Sequence, residues 1–180
     1  MAEKAYELNV AGLTRYLPIV RINDKMSIAV FIMFSDVEMT IRSAEELLKK
    51  VPEFDLILTA EAKGIPLAYE MAKQSKKNYI VARKMSKLYM EQPVQIEVQS
   101  ITTANKQLLF LDSNEVEKIR GKRILITDDV ISTGGSVYAL EKLVKMAGGE
   151  IVGRATILAE GVAADRDDII FLKDLPVFFD

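Results

Sequence analysis

The stretch Arg123-Ile124-Leu125-Ile126-Thr127-Asp128-Asp129-Val130-Ile131-Ser132-Thr133-Gly134-Gly135-Ser136 decides the fold of this 180-residue chain. An aliphatic, β-branched run ends on two adjacent carboxylates, a turn of small hydroxyl and glycine residues follows, and a helical pattern begins at Val137 and continues to Met146. That order predicts strand, loop and helix.

The loop has the composition of an anion cradle. Gly134 and Gly135 let the backbone approach a ligand with no Cβ between, and their N–H groups can converge on one anion with those of Thr133 and Ser136. The helix that follows adds the positive end of its dipole. Asp128 and Asp129 would repel a phosphate unless they face an uncharged part of the same ligand, and two carboxylates suit the hydroxyls of a vicinal diol. A diol close to a 5′-phosphate describes a ribose phosphate. The dinucleotide fingerprint and the Walker lysine are both absent, and the plain structural alternative is an Asp-capped βα turn of any α/β protein.

At these residues the chain resembles the type I phosphoribosyltransferases, whose signature is a hydrophobic strand, two acidic residues and a Thr-Gly-Gly-Ser/Thr turn. The resemblance is strong over 123–136 and looser over most of the remainder. It implies an α/β fold with a central, mostly parallel sheet flanked by helices, a flexible β-hairpin loop and a small hood. It implies 5-phosphoribosyl 1-pyrophosphate (PRPP) as ligand, with Asp128 and Asp129 as the catalytic pair at the ribose and Ser132, Thr133, Gly134, Gly135 and Ser136 around the 5′-phosphate. Mg2+ is the implied cofactor, held mainly by PRPP near Asp128 and Asp129, with no direct protein ligand assigned.

Composition bounds the chemistry. A length of 180 residues with 49% hydrophobic and 28% charged residues predicts one globular domain over 1–180, its hood drawn from about 1–34 and 160–180. Cysteine and histidine are both absent, so disulfides, thiolate metal sites and the usual neutral-pH general base are excluded. Any reaction must use carboxylates, cations, hydroxyls and hard metals. The net charge of −2 argues against broad nucleic-acid binding. No apolar run has the length of a membrane span, and Glu3 and Lys4 break any signal-peptide pattern, so a cytoplasmic protein without a membrane partner is expected.

The N-terminal 34 residues read as short strands at Tyr6–Val10, Leu17–Ile22 and Ser27–Met33. Ser35-Asp36-Val37-Glu38 has the Ser-x-x-Glu form of a capping box for a helix carrying Val37, Ile41, Ala44, Leu47, Leu48 and Val51. Asp55–Thr59 reads as a buried strand leading through Ala60, Glu61, Ala62, Lys63 and Gly64 to a helix from Ile65 to about Gln74. A third strand, Tyr79–Ala82, ends on Arg83 and Lys84. Residues 85–93 read as a loop, Val94–Ser100 alternates as a strand, and Gln107–Leu111 completes a hairpin. A short helix or turn at Ser113–Ile119, a strand at Ile151–Ala159, a charged loop at 160–167 and a strand at Ile169–Leu172 follow.

In the resembling family the loop at 60–64 grips pyrophosphate, which implies that role for Ala60, Glu61, Ala62, Lys63 and Gly64, with Arg83, Lys84 and Lys87 as further cations. The hairpin corresponds to the loop that closes over the site, implicating Glu91, Glu97, Ser100, Thr102 and Thr103. Val20, Arg21 and Glu160 are candidates for contact with the base. The order of elements and the Ala-Arg-Lys after the third strand resemble the adenine and xanthine enzymes, which implies purine salvage and a homodimer. Adenine enzymes usually carry Leu-Glu-Tyr-Gly in the flexible loop, whereas this chain has Ser100-Ile101-Thr102-Thr103, so the base stays open between adenine and xanthine. Two other readings stand beside the enzyme: a PRPP-binding regulatory protein and a catalytically silent homologue.

Overall fold

The computed structural model describes residues 5–98 and 107–179. Strands β1 (Ala5–Val10), β2 (Leu13–Asn23) and β3 (Met26–Ala29) form an antiparallel meander. Helix α1 (Val37–Leu48), β4 (Leu56–Ala60), α2 (Ile65–Ser75) and β5 (Asn78–Ala82) follow, then the hairpin β6 (Val94–Val98) and β7 (Gln107–Leu111). Helix α3 (Ser113–Ile119), β8 (Arg123–Ile131), α4 (Gly135–Met146), β9 (Glu150–Glu160), a 3-10 turn (Gly161–Asp165), β10 (Ile170–Leu175) and β11 (Val177–Phe179) complete the order.

The five strands β10-β9-β8-β4-β5 make a wholly parallel sheet. Side chains alternate along a strand, and both faces of this sheet are covered. Ile124 and Ile126 of β8 pack with Ile119, Leu140 and Leu143 from α3 and α4, whereas Leu125 between them packs with Leu47, Leu67 and Met71 from α1 and α2. All five residues of β4 are buried, which accounts for its unbroken Leu-Ile-Leu-Thr-Ala run.

A second sheet, β1-β2-β3-β11, contains the N-terminal strands expected as the hood and is called the hood sheet. Leu8, Val10, Leu17 and Ala29 share the core of α1 and α2, so the hood is seated on that helical layer. Among the described residues of 160–180, Val177–Phe179 join this sheet by pairing with β3, and Ile170–Leu175 pairs with β9 in the central sheet.

Three local expectations are corrected. The α1 cap is Asp36 rather than Ser35: Asp36 accepts from the Met39 N–H, while Ser35 sits at φ +69°. The competing influence is Arg15, whose guanidinium grips the Asp36 carboxylate and fixes it at the helix end. Secondly, β8 does not stop before the carboxylates but runs through Asp128 and Asp129 to Ile131, because β9 continues to pair alongside it. Thirdly, the loop expected over 160–167 contains the 3-10 turn.

Candidate active site

The central sheet reverses its direction of growth between β4 and β8, which are neighbours, while the chain proceeds outward from β4 to β5 and from β8 to β9. Crevices beyond the carboxyl ends of the strands at such a switch point are where open α/β sheets bind ligands. A cleft of about 370 Å³ lies there, lined by Ala60–Lys63, Lys84, Leu109 and residues 128–137. Both carboxylates, the whole glycine turn and the loop after β4 therefore meet in one space.

On the β8 side, the turn leads into α4 with Gly134 as N-cap at φ +79°, a left-handed conformation that glycine adopts without a Cβ penalty. Asp128 is half-buried and accepts from the Asp129 N–H at 2.9 Å. Burial, then the Asp129 charge beside it, pushes the Asp128 carboxyl well above the usual carboxylate range. Asp129 is only 2% exposed, and its Oδ2 is buried without a hydrogen bond among the described residues. Lys63 Nζ, 3.4 Å away, is its charge partner.

The β4 side is organised by Glu61. Its carboxylate accepts from the Lys84 N–H at 2.9 Å and from Arg83 at 3.1 Å, and these bonds, the backbone one foremost, hold it below the usual range. Glu61 thus shapes the loop, and Arg83 is committed to Glu61. The Glu61–Ala62 peptide is cis. Gly64 is buried at the start of α2, where an added Cβ would collide with Thr59 Oγ1 and lie 3.0 Å from Asp128 Oδ1. That close approach, rather than any unusual φ, requires glycine. Lys63 and Lys84 are the cations that line the cleft.

Arg83 also ties the hairpin to the site. It exchanges two backbone hydrogen bonds with Phe110, at 2.9 and 2.8 Å, which brings Leu109 of β7 to the cleft wall. Leu109, Val130, Ile131 and Val137 are lining residues with no motif signal, because apolar side chains at the cleft read in sequence only as core.

Other sequence candidates stand apart from the lining. Lys87 and Glu91 are exposed in the loop before β6, with the Glu91 N–H donating to Asp112, and Glu97 is exposed on β6. Ser100, Thr102 and Thr103 lie outside the described residues. In the hood, Val20 is exposed opposite Ile28, and Arg21 donates to the carbonyls of Asn23 and Asp24 at the β2–β3 turn. Glu160, at the end of β9, is half-buried; burial raises its carboxyl, opposed by the charge of Lys63. Its neighbour Gly161 faces Val177 of the hood.

No group of three or more potential acidic, histidine or cysteine metal ligands occurs among the described residues. The two adjacent carboxylates, with one buried oxygen that accepts no hydrogen bond among the described residues and is faced by the Lys63 charge, fit a hard cation that takes most of its ligands from a phosphate and water. No helix among the described residues is long and apolar enough to cross a membrane.

The family model described as Phosphoribosyl transferase domain matches residues 38–178. The chain belongs to the phosphoribosyltransferase family. As such it is an enzyme of the glycosyltransferase type. An adenine phosphoribosyltransferase of Thermotoga petrophila is 33% identical over 137 residues, covering 71% of this chain and 77% of the relative. A hypoxanthine/guanine phosphoribosyltransferase of Methanotorris igneus is 40% identical over 121 residues, covering 66% of this chain and 62% of the relative. Among solved structures, adenine phosphoribosyltransferase from Thermoanaerobacter pseudethanolicus superposes with a TM-score of 0.68 at 28% identity, covering 79% of this chain and 84% of that one. These are purine enzymes, and the type I phosphoribosyltransferase fold expected from the 123–136 motif is the one present.

Proposed function

We propose that this phosphoribosyltransferase joins adenine to the phosphoribosyl group of PRPP, releasing AMP and pyrophosphate. The observation that carries the reading is the single cleft at the β4/β8 switch point, where Asp128 and Asp129, the 132–136 turn and the Lys63 loop face one another. Adenine is favoured over xanthine by the relatives and structural neighbours that bear the adenine name.

In the reaction the C1′–O bond to pyrophosphate breaks and a bond from the base nitrogen to C1′ forms, with the base proton lost to solvent. Positive charge develops on the ribose ring during departure. The 132–136 turn holds the 5′-phosphate by its N–H groups and the α4 dipole. Asp128 and Asp129 accept from the ribose hydroxyls and place negative charge beside the ring. Lys63 and Lys84 take the pyrophosphate, while Glu61 keeps their loops in register. Mg2+ carried by the pyrophosphate would lower the cost of charge on the leaving group. Such a site works by positioning and charge stabilisation and needs no histidine. Glu160 and the hood are the base-facing side in this reading, and a homodimer is its assembly.

Replacing Asp128 and Asp129 together by asparagine tests the ribose assignment. Turnover falls by about 100-fold or more, while the melting temperature is kept or raised, since the mutual repulsion and desolvation of two adjacent carboxylates are removed. Unchanged turnover overturns it.

A further inference from the structure

Arg166 lies beyond the 3-10 turn and outside the cleft lining. Its Nε and Nη2 donate to the two carboxylate oxygens of Asp168, each at 2.8 Å, a fork geometry that fixes the guanidinium plane. The remaining nitrogen, Nη1, makes no hydrogen bond among the described residues and rests against Gly134, where an added Cβ would be only 2.6 Å from it. Asp168 is also within 3.5 Å of Arg154 Nε, and Arg154 pairs with Glu141 on α4.

Two guanidinium groups and two carboxylates thus connect the loop before β10, strand β9 and helix α4 immediately beside the glycine turn. Arg166 and Asp168 are 36% and 41% exposed, so their pair by itself adds little to stability. What the pair achieves is placement: it fills the space left by the missing Cβ of Gly134 with a fixed cation. A left-handed glycine is the most easily displaced residue of such a turn, and its N–H groups bind an anion best when their directions are fixed beforehand.

We infer that Arg166 is a positioning residue for the 5′-phosphate turn, holding Gly134 in place and adding positive charge next to the turn's N–H donors. The inference rests on the reading of residues 132–136 as the 5′-phosphate site. It goes beyond that reading by assigning the turn's geometry to a side chain that follows it by some thirty positions in sequence.

Calorimetry with ribose 5-phosphate and, separately, inorganic pyrophosphate tests it on the wild type, Arg166→Met, Arg166→Lys and Asp168→Asn. Arg166→Met is expected to weaken ribose 5-phosphate by about tenfold and to raise the PRPP KM alike, leaving pyrophosphate affinity within about twofold and kcat within about threefold. Lysine cannot hold Asp168 in a fork and face Gly134 together, so Arg166→Lys gives an intermediate loss, as does Asp168→Asn. Wild-type affinity for ribose 5-phosphate in Arg166→Met, or equal loss of both ligands, overturns the inference. A wild-type protein that does not bind ribose 5-phosphate overturns the phosphate assignment itself.

Discussion

Lys63 Nζ lies 3.4 Å from Asp129 Oδ2, so a cation assigned to the pyrophosphate rests on a carboxylate assigned to the ribose. Lys63 is half exposed, while Asp129 is buried. A Lys63 side chain drawn away to a pyrophosphate leaves Asp129 Oδ2 in need of a donor.

Asp129→Asn therefore has opposite effects on two ligands. Inorganic pyrophosphate binds about fivefold more tightly because Lys63 is released, while ribose 5-phosphate binds about tenfold more weakly. Calorimetry on each ligand alone reads both signs, and weakening of both would remove the competition from the account.

The raised Asp128 carboxyl sets a pH dependence with two signs. Its folded pKa exceeds the unfolded one, so its contribution to stability is fully present below the unfolded value and is lost as pH rises through the folded value. Activity in the proposed mechanism moves the other way, since there the ionised form accepts from the ribose. The acid limb of kcat/KM lies above the usual carboxylate range, and melting temperatures of wild type and Asp128→Asn diverge as pH rises through the same window. Parallel melting curves across that window would contradict the assignment.

At the start of α1, Asp36→Ala loses the cap and the Arg15 pair together and costs about 1–2 kcal/mol in chemical denaturation. Arg15, then the Met39 N–H, holds the Asp36 carboxyl below its ordinary value. That stability is present above the unfolded pKa and fades as pH falls through the lowered folded one. Ser35→Gly, at φ +69°, is neutral or stabilising. The reverse ranking would restore Ser35 as the cap.

Gly64→Ala drives a Cβ into Thr59 Oγ1 and Asp128 Oδ1 and costs about 1–3 kcal/mol. Thr59→Ala removes the nearer clash, so the double variant is more stable than the sum of the two single losses. Strict additivity in urea titrations would show that the two positions do not meet.

Much of the candidate site was legible because the residues that line it are local in sequence. The 128–136 stretch and the 60–64 loop each follow a strand, and strand ends converge at the switch point once the parallel order is known. What depended on tertiary pairing was hidden. Ser35 and Asp36 both suit a cap, and Arg15, some twenty residues away, decides between them. Likewise Arg83 and Lys84 are adjacent cations, yet Glu61 takes the Arg83 side chain and only the N–H of Lys84, leaving Lys84 to line the cleft. The placement of Arg166 beside Gly134 follows from no motif at all.

The most direct test of the central claim incubates the protein with PRPP, Mg2+ and adenine, hypoxanthine, guanine, xanthine, uracil or orotate in turn, and separates the nucleotides by chromatography. The account predicts AMP with stoichiometric pyrophosphate from adenine, and little or no nucleotide from the other bases. PRPP binding with no nucleotide from any base would contradict it.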